Sequence, residues 1–307
     1  MNFQMLDAQA ALGFVLSQTT HIESAVNETV YPDIQYPELI PVDTSANPWA
    51  QTVTYYSSDK YGAADWINGN AGDIPLAGTE RAKFQTNVYT AGIGYGYGLE
   101  EISQAAMLGI NLANDDAMAA RRAYEEMVDR VALQGDATKN FEGLIANSAV
   151  TAVSATTGAW ATATPDEIVG DFNQGITGVQ TATNYTSMSD TVLLPNEKLN
   201  YIASTRLTDT SMTVLEFIRR NNVYTATTGQ PLTIRAVRGL TTAGAGSTAR
   251  MITYRRDPQV LKMHIPMPHR FLPAFQKTPL YVEVPGIFRL GGLDIRRPAE
   301  VRYVDGI

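Results

Sequence analysis

Three histidines, no cysteine and a few adjacent carboxylate pairs are the chemistry this chain of 307 residues offers. His264 and His269 stand five apart around two prolines, a spacing that fits no common zinc pattern on a helix, and His21 is far from both. The pairs Glu100-Glu101, Asp115-Asp116 and Glu125-Glu126 are sequence neighbours, which diverge on a helix and make poor acid/base partners. Without cysteine there are no disulfides, thiolate metal sites or thiol nucleophiles. No G-x-S-x-G, P-loop or H-E-x-x-H occurs. The alternation of glycine with Ile or Tyr from Ala91 to Gly98 offers no dinucleotide fingerprint; it marks a strand closely approached on its glycine face. No catalytic, cofactor or metal site emerges.

What the chain does carry is a long helix signal. Leu99, Ile102, Ala106, Ile110, Ala113, Ala117, Ala120, Tyr124, Met127 and Val131 recur every three or four residues, with charged residues between them and Gly135 where a helix would stop. Gly109, Asn111 and the Asn114-Asp115-Asp116 cluster predict an interruption and a fresh start near 111–115. Before the helix, Gln51–Tyr56 and Phe84–Tyr97 read as strands around a polar stretch, residues 57–83, so 50–92 is expected to project as a hairpin. Residues 1–49 are proline-rich yet carry Tyr31, Tyr36 and Trp49, the pattern of an extended arm lying across something else. After the helix, residues 141–257 read as a mixed α/β domain, with Thr164-Pro165-Asp166-Glu167 opening one helix and Val214 to Arg220 forming another. Extended segments follow from Pro258, with His264 to His269 as a proline-punctuated loop.

Charge is uneven. The net charge is −8, but residues 1–200 hold 8 Lys or Arg against 24 Asp or Glu, and residues 201–307 hold 15 against 7. Either this is two unlike parts of one monomer, or acidic and basic surfaces meet between copies. No basic run interleaved with aromatics suggests a specific nucleic-acid reader, no apolar stretch is long enough to span a membrane, and no basic leader marks a secretory signal.

In this order, the pieces resemble the major capsid protein of tailed bacteriophages, whose Hong-Kong-phage-type fold is shared with encapsulins. The most specific stretch is Ala119 to Asn147, with Gly135-Asp136, then Gly143-Leu144 and Asn147; the second is Ile295-Arg296-Arg297-Pro298-Ala299-Glu300-Val301. The resemblance implies an α+β fold: an arm at 1–49, an extended hairpin loop at 50–98, a peripheral domain with spine helix at 99–140 and 258–290, and an axial domain at 141–257 and 291–307. It implies a structural subunit, not an enzyme, that self-assembles through pentamers and hexamers into an icosahedral shell around double-stranded DNA. That DNA would be contacted non-specifically, without cofactor or membrane. The expected location is the virion capsid, assembled in the host cytoplasm, with portal, decoration or tail-connector proteins as further partners. Only about 50 residues precede the hairpin, which points to a separate scaffold or none. Lys60 and Lys83 could offer an amine for cross-linking to a neighbour, but no asparagine follows Asn222, so covalent chain-mail is not expected. Tyr31, Tyr36, Trp49, Lys60, Lys83, Arg219 and Arg220 are the candidate assembly contacts. An encapsulin-like compartment and a soluble α/β enzyme with a lid hairpin are the alternatives.

Overall fold

A computed structural model describes residues 31–67, 74–98, 100, 101, 103 and 112–307. Two compact units are distinguished, Met1–Asp33 and Ile34–Ile307. His21, the interruption expected before Leu112 and the 68–73 part of the hairpin tip lie outside the described residues.

The second unit begins with a strap. Pro37 starts a single turn of helix, α1 (Tyr36–Leu39), and Val42–Asp43 then pairs parallel with Met263–His264. Tyr36, Leu39 and Ile40 are buried in one core with Ile252, Tyr254 and Tyr303 and with Tyr124, Val128 and Val131 of the long helix. This corrects the expectation that Tyr36 is buried on another subunit: it packs within its own chain, because its ring completes a core that the sheet and helix leave open. Of the arm expected over 1–49, residues 1–30 lie outside the described residues.

Thr52–Tyr61 and Gly78–Asn87 pair antiparallel in unbroken register from Thr52↔Asn87 to Tyr61↔Gly78; this hairpin runs further into residues 57–83 than expected, and the strand expected over Phe84–Tyr97 breaks after Asn87. The hairpin base is tied down by Tyr55, which stacks on Phe84 at 5.1 Å and lies 4.3 Å beneath the Arg296 guanidinium. Beyond that, the strands are exposed on both faces.

Helix α2 (Leu112–Leu133) is the longest described stretch of the expected spine helix, and it buries Ala120, Tyr124, Val128, Val131 and Ala132 on one side. It stops at Gly135, whose φ of +84° is open to glycine and strained for other residues. The chain then doubles back so closely that a Cβ on Gly143 would stand 2.3 Å from the Leu133 carbonyl oxygen. That approach lets the Leu144 and Ile145 amides donate to the carbonyls of Ala132 and Leu133, satisfying helix-end acceptors. The Gly-Asp and Gly-Leu pattern therefore has a steric cause.

A five-stranded sheet, labelled the axial sheet after the domain in which the sequence places it, is ordered Thr233–Ala236, Thr191–Leu194, Arg250–Tyr254, Val301–Asp305, Thr151–Ser154. Alternate residues face two cores. Val192, Leu194, Met251 and Val304 meet helices α3 (Pro165–Ala182), α4 (Asn196–Ser204) and α5 (Val214–Arg220). Leu193, Ile252, Tyr254 and Tyr303 meet the strap and α2. A capping box between Thr164 and Glu167 opens α3, as its sequence predicts, and the short α6 (Val223–Thr228) follows α5.

Two further three-stranded sheets are Met267–Phe271 with Gly286–Leu290 and Tyr89–Gly92, and Phe275–Thr278 with Tyr281–Val284 and Tyr95–Gly98, while Gly292–Ile295 pairs antiparallel with Leu261–His264 beside the strap. Met267–Phe271 falls partly in the segment expected to be a loop. Pro268 is tolerated there because the register shifts between Met267 and Arg270, an irregularity at which a missing N–H leaves no ladder bond unmade.

Candidate assembly surfaces

The described residues contain no group of His, Asp and Glu arranged to hold a metal, and no helix among them is long and apolar enough to cross a membrane. The two described histidines are structural. His269 Nε2 donates to the Ile93 carbonyl at 3.0 Å, and its ring stacks on Tyr124. His264 is buried, with Nε2 3.4 Å from Asp294 and Nδ1 3.6 Å from Asp43. Lys262 and Arg296 complete this charged cluster, on Asp43 and Asp294 respectively.

These carboxyls are perturbed by their surroundings. Burial works against ionisation of Asp43, but hydrogen bonds from Lys262 and Ser45 outweigh it and hold the carboxyl well below the usual range. Asp294 is also buried, yet hydrogen bonds from His264 and Arg296 lower it. In the axial sheet, Asp305 is lowered against burial by Arg250 and the Ala245 amide. Arg250 grips Asp305 with two bonds, at 2.6 and 2.9 Å, and donates a third at 2.8 Å to the Ile145 carbonyl. Conversely, burial and then Glu125 push the Tyr36 hydroxyl far above the usual tyrosine range.

The candidate contact residues are spread over the surface and form no single site. Tyr31 lies in the first unit, of which only residues 31–33 are described. Lys60 and Lys83 sit on opposite hairpin strands, across from Thr79 and Tyr56, and both are exposed. Arg219 and Arg220 end α5 in the open, with Arg220 paired to Glu216 at 2.9 Å. Part of the charge asymmetry is consumed within the chain: Arg235 meets Glu38 at 3.2 Å and Arg238 meets Asp129 at 3.8 Å.

Trp49 is 64% exposed, and its ring lies 5.9 Å from the Arg270 guanidinium and 6.0 Å from that of Arg289. Sequence reasoning missed both arginines; their signal is the strand alternation that sets Arg289 opposite Phe288 and Leu290, which face the core. The hairpin tip is the other large exposed feature. Trp66 is fully exposed and Leu76 is 85% exposed, with Ile74 and Asp65 beside them in sequence.

The profile of a family described as major capsid protein matches residues 62–307. The chain belongs to the major capsid protein family. This major capsid protein has the fold found in the capsid of Myoviridae phage XM1, with a TM-score of 0.81 at 17% identity over all of both chains. It is also similar to the capsid of an empty GTA particle (TM-score 0.66, 11% identity, covering 98% of this chain and 99% of that one). A third likeness is to Mycobacterium phage Adephagia (0.64, 16%, 98% of each chain). No curated protein sequence matches it. A major capsid protein of this α+β fold is a structural subunit of a phage shell, and the family favours that reading over the compartment and the lidded enzyme.

Proposed function

We propose that copies of this capsid protein join as pentamers and hexamers into an icosahedral shell that encloses phage double-stranded DNA. Each hairpin crosses onto a neighbouring copy. The observation that carries this reading is the hairpin tip: Trp66, Ile74 and Leu76 lie exposed at the end of a ten-pair ladder. An apolar cluster held that far from its own core is a contact surface for another molecule. The residues at 1–49 serve as an arm up to Asp33 and as a strap from Ile34. Of residues 50–98, the paired strands Thr52–Tyr61 and Gly78–Asn87 form the extended loop, while residues 89–98 join 99–140 and 258–290 in the peripheral domain; 141–257 with 291–307 is the axial domain facing the local symmetry axis. Tyr31, Trp49, Lys60, Lys83, Arg219 and Arg220 lie at subunit boundaries. The chain catalyses no reaction, assembles in the host cytoplasm, and works with a separate scaffold, a portal and decoration or tail-connector proteins.

The test is to replace residues 62–77 with a two-residue turn. The shortened chain should keep the circular dichroism and unfolding transition of the full chain yet sediment as a small species. Shells of normal size from the shortened chain would sink the proposal.

A further inference from the structure

The ring of Trp49 and the two guanidiniums beside it form a cationic, aromatic platform that no described residue of its own chain completes. Asn47 fixes the loop by accepting from the Trp49 amide at 2.9 Å, and the Pro48 carbonyl accepts from Arg289 Nη1 at 2.9 Å. Arg289 is buried, its Nε makes no hydrogen bond, and neither it nor the exposed Arg270 meets a carboxylate among the described residues. A buried guanidinium without a counter-charge is costly, so a carboxylate arriving from outside is favoured there.

The hairpin tip has the complementary chemistry. It presents Asp65, whose carboxylate is engaged among the described residues only by the neighbouring Trp66 amide, together with the fully exposed Trp66 ring and Leu76. The tip cannot serve its own platform. Trp49 lies at the root of the hairpin, and ten strand residues at about 3.3 Å each carry the tip roughly 30 Å away along a paired ladder.

Resting on the reading that hairpins cross between copies, we propose that the platform of Trp49, Arg270 and Arg289 receives the hairpin tip of a second copy of this chain. Asp65 lies against Arg270, in the field of Arg289, and Trp66 lies against Trp49. Tip and platform are different patches, so the contact is head-to-tail and repeats around a ring until it closes.

The experiment is a charge exchange, read as the rate of shell formation by light scattering. Asp65→Arg and Arg270→Glu should each slow assembly about tenfold or more, the effect expected on losing roughly 1.4 kcal/mol per contact. The double variant should return to within about threefold of the unmodified rate, because the pair is restored with its ends exchanged. Both residues are exposed, so circular dichroism and unfolding of the unassembled chains should match the unmodified protein; Arg270→Gln is the milder variant if Arg270→Glu does not fold. If Arg270→Glu and Arg270→Gln assemble normally while deletion of the tip blocks assembly, hairpins cross but the platform does not receive them, and the inference is overturned. A double variant no faster than the singles overturns it as well. Normal shells from Arg270→Glu that retain less DNA would mean that the platform faces nucleic acid instead. If tip deletion itself leaves assembly unchanged, the hairpin reading fails and this inference fails with it.

Discussion

The hydroxyl of Tyr36 donates to a carboxylate oxygen of Glu125 at 2.7 Å, joining the strap to the spine helix across 89 residues of sequence. One turn further along the helix, Asp129 accepts from the amides of Gln35 and Tyr36 at 2.9 and 2.8 Å. On the far side, the Tyr254 hydroxyl donates to the Leu39 carbonyl at 2.8 Å. The strap is therefore held from both the helix and the axial sheet.

Tyr36→Phe should cost about 1 kcal/mol, the usual net value of one hydrogen bond, while Tyr36→Ala should cost about 3–5 kcal/mol through the cavity it leaves. Denaturant unfolding of the unassembled chain measures both. Because burial and Glu125 raise the folded-state pKa of Tyr36, its contribution is present below the ordinary tyrosine value and fades as pH rises past about 10. Tyr36→Phe should flatten that alkaline loss; an unchanged alkaline profile would count against it.

Acid should act in the opposite sense. Asp43, Asp294 and Asp305 all have folded-state pKa values below their unfolded ones, so their stabilisation is complete above about pH 4 and is lost as pH falls below it. Stability of the unassembled chain should drop steeply below that point, and Asp43→Asn should reduce the slope. Asp305→Asn should cost about 3–5 kcal/mol at neutral pH, since it leaves the buried Arg250 guanidinium without its charge partner.

Two glycines give opposite expectations. A Cβ at Gly143 meets backbone atoms of Leu133, Gln134 and Gly135 within 2.5 Å, so Gly143→Ala must part the loop from the end of α2. It should cost more than about 3 kcal/mol or abolish soluble protein. Gly170, inside α3, has nothing within 4 Å, and Gly170→Ala should stabilise by about 0.5–1 kcal/mol through helix propensity. Thermal melts of the two variants test the contrast.

Shells dissolved by boiling in detergent should run as a single band near 33.4 kDa. Lys60 and Lys83 project from the hairpin, but no asparagine follows Asn222 to receive either amine. A ladder of multimers would refute this.

Reversal of Arg219 and Arg220 to glutamate should slow assembly without unfolding the chain, because both are exposed at the end of α5 and Arg220 pairs with Glu216, one turn back. Each such boundary pair is worth roughly 0–1 kcal/mol, but a shell repeats it many times. Assembly rates that are flat with salt and indifferent to the reversal would assign the boundary to apolar burial.

The spine helix, the hairpin strands and the Thr164 cap were legible because each is governed by spacing within a few residues. The burial of Tyr36 was not. A proline-rich apolar segment announces that it lies on something, and only the open underside of the axial sheet shows that this something is its own chain. Strand Thr151–Ser154 escaped for a related reason: in this edge of Thr, Ala, Val and Ser only Val153 turns toward the core, too few apolar residues to show an alternation. The Trp49 platform draws its arginines from more than 200 residues away, beyond any local pattern. The fold as a whole was reached through resemblance, with Gly135 and Gly143 supplying steric punctuation that a structure is needed to explain.

Strand Val301–Asp305 lies between Arg250–Tyr254 and Thr151–Ser154, holding the latter in the sheet. A ribosome making this chain releases residue 154 roughly 150 residues before its partner strand exists, a wait on the order of 10–30 s at about 5–20 residues per second. Throughout that interval the nascent polypeptide has an unfinished sheet and an unfilled seam beside it. A chain that stops before Val301 therefore lacks the strand that joins Thr151–Ser154 to the rest of the sheet.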